Sequence, residues 1–127
     1  MNDARFTRKL ATIVAVDVVK YSAMIEADED RALAAVDHCR RLITDIVTSH
    51  GGRIFNHAGD GVMVETPSVV EGVQSAFEIH KALDALNREQ ADLPELKVRI
   101  GVNLGDVMTR EDGDLVGHGV NIAARLE

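Results

Sequence analysis

A chain of 127 residues can hold one domain with a sizeable core but not two, and with 46% hydrophobic residues yet no Trp, one Tyr and three Phe that core must be aliphatic. A net charge of -7 speaks against general affinity for nucleic acid or an anionic membrane. The single cysteine, Cys39, rules out an internal disulfide or a thiolate zinc site, and the chain has neither a long apolar run nor a signal peptide, so a reducing, cytoplasmic setting is expected.

In chain order, residues 10–17 form an almost continuous apolar, β-branched run, which predicts a strand covered on both faces and central in its sheet. From about Asp28 to His50, Leu33, Val36, Ile43, Ile46 and Val47 make a helical stripe behind the acidic first turn Asp28-Glu-Asp30, and Gly51-Gly52 ends it. Arg53 to Ala58 and Val62 to Glu65 read as short strands around the hairpin signal Gly59-Asp60-Gly61. Ser68 and Glu71 have capping-box spacing at the start of a second helix, whose inner face is Gly72, Ala76, Ile79, Leu83 and Leu86. After Pro94, Val98, Ile100 and Val102 alternate as in a strand running from Leu96 to Val107. Glu111 to Asp114 reads as a turn, and a last helix starts near Gly117 and is still running at Glu127. The order strand, helix, strand, strand, helix, strand predicts an α/β (α+β) domain with the split β-α-β arrangement of ferredoxin-like folds, first and third strands side by side. Residues 1–8 read as a lead-in to a domain over 9–127 that lacks its C-terminal part.

Two acidic residues carry the chemistry. Asp17 closes the first strand and Asp60 sits at the hairpin tip, so adjacent strands would bring both carboxylates to one sheet edge. Such a pair suits divalent metal held against a triphosphate. Singly, Asp17 could equally be the N-cap of a helix from Val18 to Ala27, and Asp60 a turn residue before glycine. Asn121 and Arg125, four apart, share one helix face and could hold a ribose or phosphate oxygen; Arg125 could equally make a surface ion pair. The histidines, His38, His50, His57, His80 and His118, lack ligand spacing, and Met24 and Met63 read as packing residues. Lys20 and Tyr21 could approach phosphates, but a solvated lysine and a half-buried tyrosine are the simpler reading.

Five ordered segments resemble the class III nucleotidyl cyclase catalytic domain, in its bacterial adenylate cyclase form. They are Val16-Asp-Val-Val-Lys-Tyr-Ser22, Gly51-Gly-Arg-Ile54, Ala58-Gly-Asp-Gly-Val-Met-Val-Glu65, Arg99-Ile-Gly-Val-Asn-Leu-Gly-Asp106 and Gly117-His-Gly-Val-Asn-Ile-Ala-Ala-Arg-Leu-Glu127. The resemblance implies a palm-like fold converting ATP to cyclic AMP and pyrophosphate with two magnesium or manganese ions. It implies that Asp17, Asp60 and the Val18 carbonyl bind metal, that Asn121 and Arg125 orient the ribose and stabilise the α-phosphate, and that Asp114 reads the adenine amino group. It further implies a homodimer whose active sites are shared between subunits. Asn56 stands where adenylate cyclases usually have a base-reading lysine, and the chain stops before the family's last strands. The rival readings are a non-catalytic dimerisation or nucleotide-sensing module and a guanylate cyclase, the latter disfavoured by Asp114. A diguanylate cyclase would carry Gly-Gly-Asp-Glu-Phe in its hairpin, where this chain has Ala58-Gly-Asp-Gly-Val62.

Overall fold

The apolar run near the N-terminus becomes the spine of the sheet. A computed structural model describes residues 6–58 and 61–127, and in it β1 (Phe6–Val18) pairs antiparallel with both neighbours. There follow α1 (Tyr21–Ala27), α2 (Glu29–Ser49), β2 (Arg53–Ala58), β3 (Gly61–Thr66), α3 (Val69–Glu89), β4 (Val98–Arg110), β5 (Leu115–Val116) and α4 (His118–Leu126). The five strands are ordered β2-β3-β1-β4-β5, which sets the first and third strands side by side as the sequence predicts.

Alternation along β1 gives each sheet face its own core, since successive side chains point to opposite sides. Val14, Val16 and Val18 join Val62, Val64 and Val98 beneath α2 and α3, whose Ala35, Val36, Cys39, Ile43, Val47, Ile79 and Leu83 complete that layer. Ala11, Ile13 and Ala15 face the other way, with Met63, Val107 and Leu115, and Ala123 of α4 covers them. Burying one such aliphatic side chain stabilises by about 1.5–3 kcal/mol, so both layers contribute and neither face is free.

Several boundaries differ from the sequence reading. β1 starts at Phe6 because Phe6 to Leu10 pair with Arg110 to Asp106 on β4; the polar residues there hide a strand with only one long neighbour. Asp17 is not a helix N-cap: it lies within β1, and α1 begins only at Tyr21 after Lys20 takes a left-handed φ of 58°. A second helix follows at once, capped by Asp28, whose side chain accepts from the Arg31 amide at 3.2 Å. Gly51, at φ 74°, ends α2 as expected. Ser68 caps α3 by accepting from the Glu71 amide at 3.2 Å. Leu33 is exposed rather than part of the α2 stripe, and on α3 Ser75 is fully buried while Ala76 and Leu86 are only partly so.

Candidate functional site

Asp17 continues the Ile13 and Ala15 series, so its side chain belongs to the α4 face of the sheet. It is partly exposed and pairs across β1 with Gly61 on one side and Arg99 on the other. Gly61 has to be glycine, since a Cβ would collide with the Val16 carbonyl oxygen. Asp60, the second expected carboxylate, and Gly59 lie outside the described residues. Among the described residues no cluster of three or more His, Cys, Asp or Glu could hold a metal ion. What Asp17 and the Val18 carbonyl offer is a set of oxygen donors, the chemistry that suits a hard divalent cation.

Strand β2 brings a second residue to this face by an irregularity. Ile54 pairs with Val64, but the next pair is Asn56 with Met63, so Phe55 is the extra residue of a β-bulge. Simple alternation would turn Asn56 toward α2 and α3. The bulge instead puts Asn56 on the Met63 side, exposed above the face that carries Asp17. His57 is exposed, as expected of a hairpin histidine.

Helix α4 sits on β4 through glycine. A Cβ at Gly101 would collide with the Ala123 carbonyl, and one at Gly119 would come 2.7 Å from the Asp106 carbonyl oxygen. Asn103, between the two seat glycines Gly101 and Gly105, donates its side-chain amide to the Gly119 carbonyl at 3.0 Å. Gly119 and Ala123 are buried against the strand, whereas Asn121 and Arg125 are exposed on the opposite side of the helix. The structure therefore keeps the amide and guanidinium together but aims them away from their own sheet.

Asp114 stands beyond the far end of β4, in the turn that leads to β5. Arg99 opposes Asp17, and Leu115, next to Asp114, pairs with Thr109, which is a contour of roughly 33 Å along β4 at 3.3 Å per residue. The turn around it is tightly bonded: the Gly113 amide donates to the Arg110 carbonyl at 3.0 Å and the Arg110 amide to the Asp114 carbonyl at 2.9 Å. Asp114 Oδ1 accepts from the Leu115 amide at 2.9 Å, and the residue is partly exposed.

Three features escaped the sequence reading. Lys9 Nζ lies 2.7 Å from Glu65 Oε2, and Arg53 donates to Glu65 Oε1 at 3.2 Å. Burial alone would raise the Glu65 pKa; the hydrogen bonds and charges of Lys9 and Arg53 outweigh it and hold the carboxyl below the usual glutamate value. The glycine seat for α4 was signalled by Gly101 and Gly105 at four-residue spacing within a strand, where glycine marks close backbone approach. Lys20 lies at the rim of an open cleft of about 330 Å³ with Val19, Met24, Glu95 and Lys97. Elsewhere the expectations hold: Met63 is buried, Met24 and the partly buried Tyr21 pack on the helix-side core, and His80 is an exposed helix residue. Cys39 is buried, its thiol pushed up to about 11, and so unreactive.

No family model matches the chain. A Rhizobium meliloti protein provisionally named adenylate cyclase 3 is 44% identical over 124 residues, covering 94% of this chain and 20% of that protein. The chain thus spans about a fifth of the length of the curated relatives it matches. The crystal structure of an adenylate/guanylate cyclase/hydrolase from Silicibacter pomeroyi is 35% identical, with a TM-score of 0.81 over 96% of this chain and 71% of that one. The guanylyl cyclase Cya2 superposes with a TM-score of 0.85 at 25% identity, over 95% of this chain and 70% of that one. Fold, motif order and the relative at 35% identity agree: the chain belongs to the class III adenylate/guanylate cyclase family.

Proposed function

We propose that this chain is the cyclising domain of an adenylate cyclase, which converts ATP to 3',5'-cyclic AMP and pyrophosphate at sites shared by two copies of the domain. The observation that supports it most is a mismatch of direction. Asp17 lies near the C-terminal end of the central strand, beside Gly61, while Asn121 and Arg125 face outward from α4 on the same chain. A second copy packed face to face would bring its Asn121 and Arg125 over the Asp17 of the first.

In that arrangement Asp17, Asp60 and the Val18 carbonyl would hold magnesium or manganese, which when bound lowers the pKa of the 3'-hydroxyl and neutralises phosphate charge. The partner's Asn121 hydrogen-bonds the ribose and fixes the 3'-oxygen in line with the α-phosphorus. Arg125 donates to the α-phosphate oxygens, where negative charge grows in the transition state. The 3'-hydroxyl loses its proton, its oxygen bonds to the α-phosphorus, and the bond to the β-phosphate oxygen breaks to release pyrophosphate. Asp114 accepts from the adenine amino group and would repel the carbonyl oxygen of guanine. The exposed Asn56 amide donates to the base without charge, so ATP is held more weakly than by a cationic donor.

The uncharged Asn56 favours a second reading, a non-catalytic dimerisation or nucleotide-sensing module, which the same experiment separates by yielding no product from either nucleotide. The protein is assayed with ATP and with GTP in manganese, beside Asp60→Ala. Cyclic AMP from ATP is expected, reduced on the order of a hundredfold or more in the variant. Product from GTP alone, or undiminished product from Asp60→Ala, overturns the assignment. No helix among the described residues is long and apolar enough to cross a membrane, and a cytoplasmic setting, where ATP is abundant, belongs to the same proposal.

A further inference from the structure

Strands β2 and β5 are the two outer edges of the five-stranded sheet, yet a side chain of β2 comes close to the turn that precedes β5. Arg53 opens β2, and its Nη1 lies 3.4 Å from where a Cβ on Gly113 would stand, in the turn that leads to β5. We propose that Arg53 is a positioning residue for this turn: its guanidinium reaches over the sheet face, braces residues 111–114, and so sets where Asp114 stands. The consequence for substrate choice rests on Asp114 reading the base, as proposed above; the brace itself does not.

Arg53 is held at two points, one of them a carboxylate that is itself anchored. Its Nη2 donates to Glu65 Oε1 at 3.2 Å, Lys9 binds the other Glu65 oxygen at 2.7 Å, and the guanidinium carbon lies 6.0 Å from the Phe55 ring centre. Glu65 is only 20% exposed, and its two cationic partners keep it ionised, so the anchor carries full charge. A planar guanidinium fixed through Nη2 has its Nη1 edge in a defined place. That edge lies beside Gly113, whose φ of +87° admits glycine and little else. The turn needs such a support. Its hydrogen bonds, Gly113 to Arg110, Arg110 to Asp114, Asp114 to Asp112 and Leu115 to Asp114, all close within the hairpin, and β5 is only two residues long. They fix its shape, and strand pairing holds it only at its two ends, where Arg110 meets Phe6 and Leu115 meets Thr109. The Phe55 bulge serves the same end, because it keeps Arg53, Phe55 and Asn56 on one face within reach of one another.

Amide hydrogen exchange on the whole chain tests the brace, with ATP and GTP affinities measured alongside. In Arg53→Ala the amides of Gly113, Asp114 and Leu115 should exchange several-fold faster while those of Val14, Val16 and Val64 are unmoved. Arg53→Lys keeps the charge but not the fork and should fall between; Glu65→Gln, which loosens the anchor, should shift the same amides in the same direction. ATP affinity should drop about tenfold, approaching that of Asp114→Ala. Unchanged exchange at 113–115 in Arg53→Ala overturns the proposal. If that variant loosens everywhere, Arg53→Lys decides: a rise confined to the turn supports the brace, and none overturns it. Should Asp114→Ala leave the preference between ATP and GTP unaltered, base reading by Asp114 falls, while the exchange data still judge Arg53.

Discussion

Single positions carry the site, and their legibility depends on whether a residue acts by its chemistry or by its absence. Asp17, Asn121 and Arg125 stand out in the sequence because charge and amide groups are unusual at a strand end or spaced four apart on a short helix. Gly101 acts through the missing Cβ, which only the packing of α4 reveals. Gly101→Ala should force the helix off its seat and cost about 1–3 kcal/mol, read as a lower Tm, whereas Ala123→Gly, which keeps the approach open, should cost less than Gly101→Ala. Asn56 was legible as a departure from the family's lysine, but not its orientation, which depends on a bulge that no residue type announces. Asn56→Lys should strengthen ATP binding about tenfold, the worth of a charge on that hydrogen bond, and raise catalytic efficiency with ATP; an unchanged kcat/KM would remove Asn56 from the base pocket.

At the scale of elements, periodicity and capping residues placed α2, β2, β3 and α3 because each signals its own ends: Asp28, Gly51 and Ser68 act locally. The ends of β1 were misplaced because what holds Phe6 to Leu10 in a strand is β4, distant in sequence. A similar long-range contact joins the helices. His50, at the end of α2, donates from Nδ1 to Glu71 at 2.5 Å and from Nε2 to Glu78 at 3.0 Å, both on α3. Two carboxylate acceptors call for two N–H donors, so the hydrogen bonds donated to Glu71 first and Glu78 second raise the imidazole pKa above its ordinary value. A folded-state pKa above the unfolded one means the clamp contributes fully below about pH 6.5 and is lost as pH rises through the raised value. Tm should therefore fall over that interval in the wild type and fall less in a Glu71→Gln, Glu78→Gln double variant; parallel curves would show the clamp contributes nothing.

For the whole molecule, the two core layers lock β1 between β3 and β4 and leave the proposed chemistry divided between the end of β1 and the outer side of α4. A division of that kind makes a test by mixing possible. Asp60→Ala and Arg125→Ala should each be inactive alone, yet together regain up to about a quarter of wild-type activity, because mixed pairs contain one intact site. Mixtures as silent as their components would mean that each chain builds its own site. The central pairing has a further consequence, for synthesis rather than catalysis. Val18 meets Val98 and Phe6 meets Arg110, so the innermost strand is made before either neighbour and gains its longest one after β3. Contacts so far apart in sequence close slowly, and until they do Ile13, Val14, Val16 and Val18 wait on an open edge. Nascent chains should therefore be most prone to aggregate, or to exchange β1 between copies, in the interval after β3 is made and before β4 arrives.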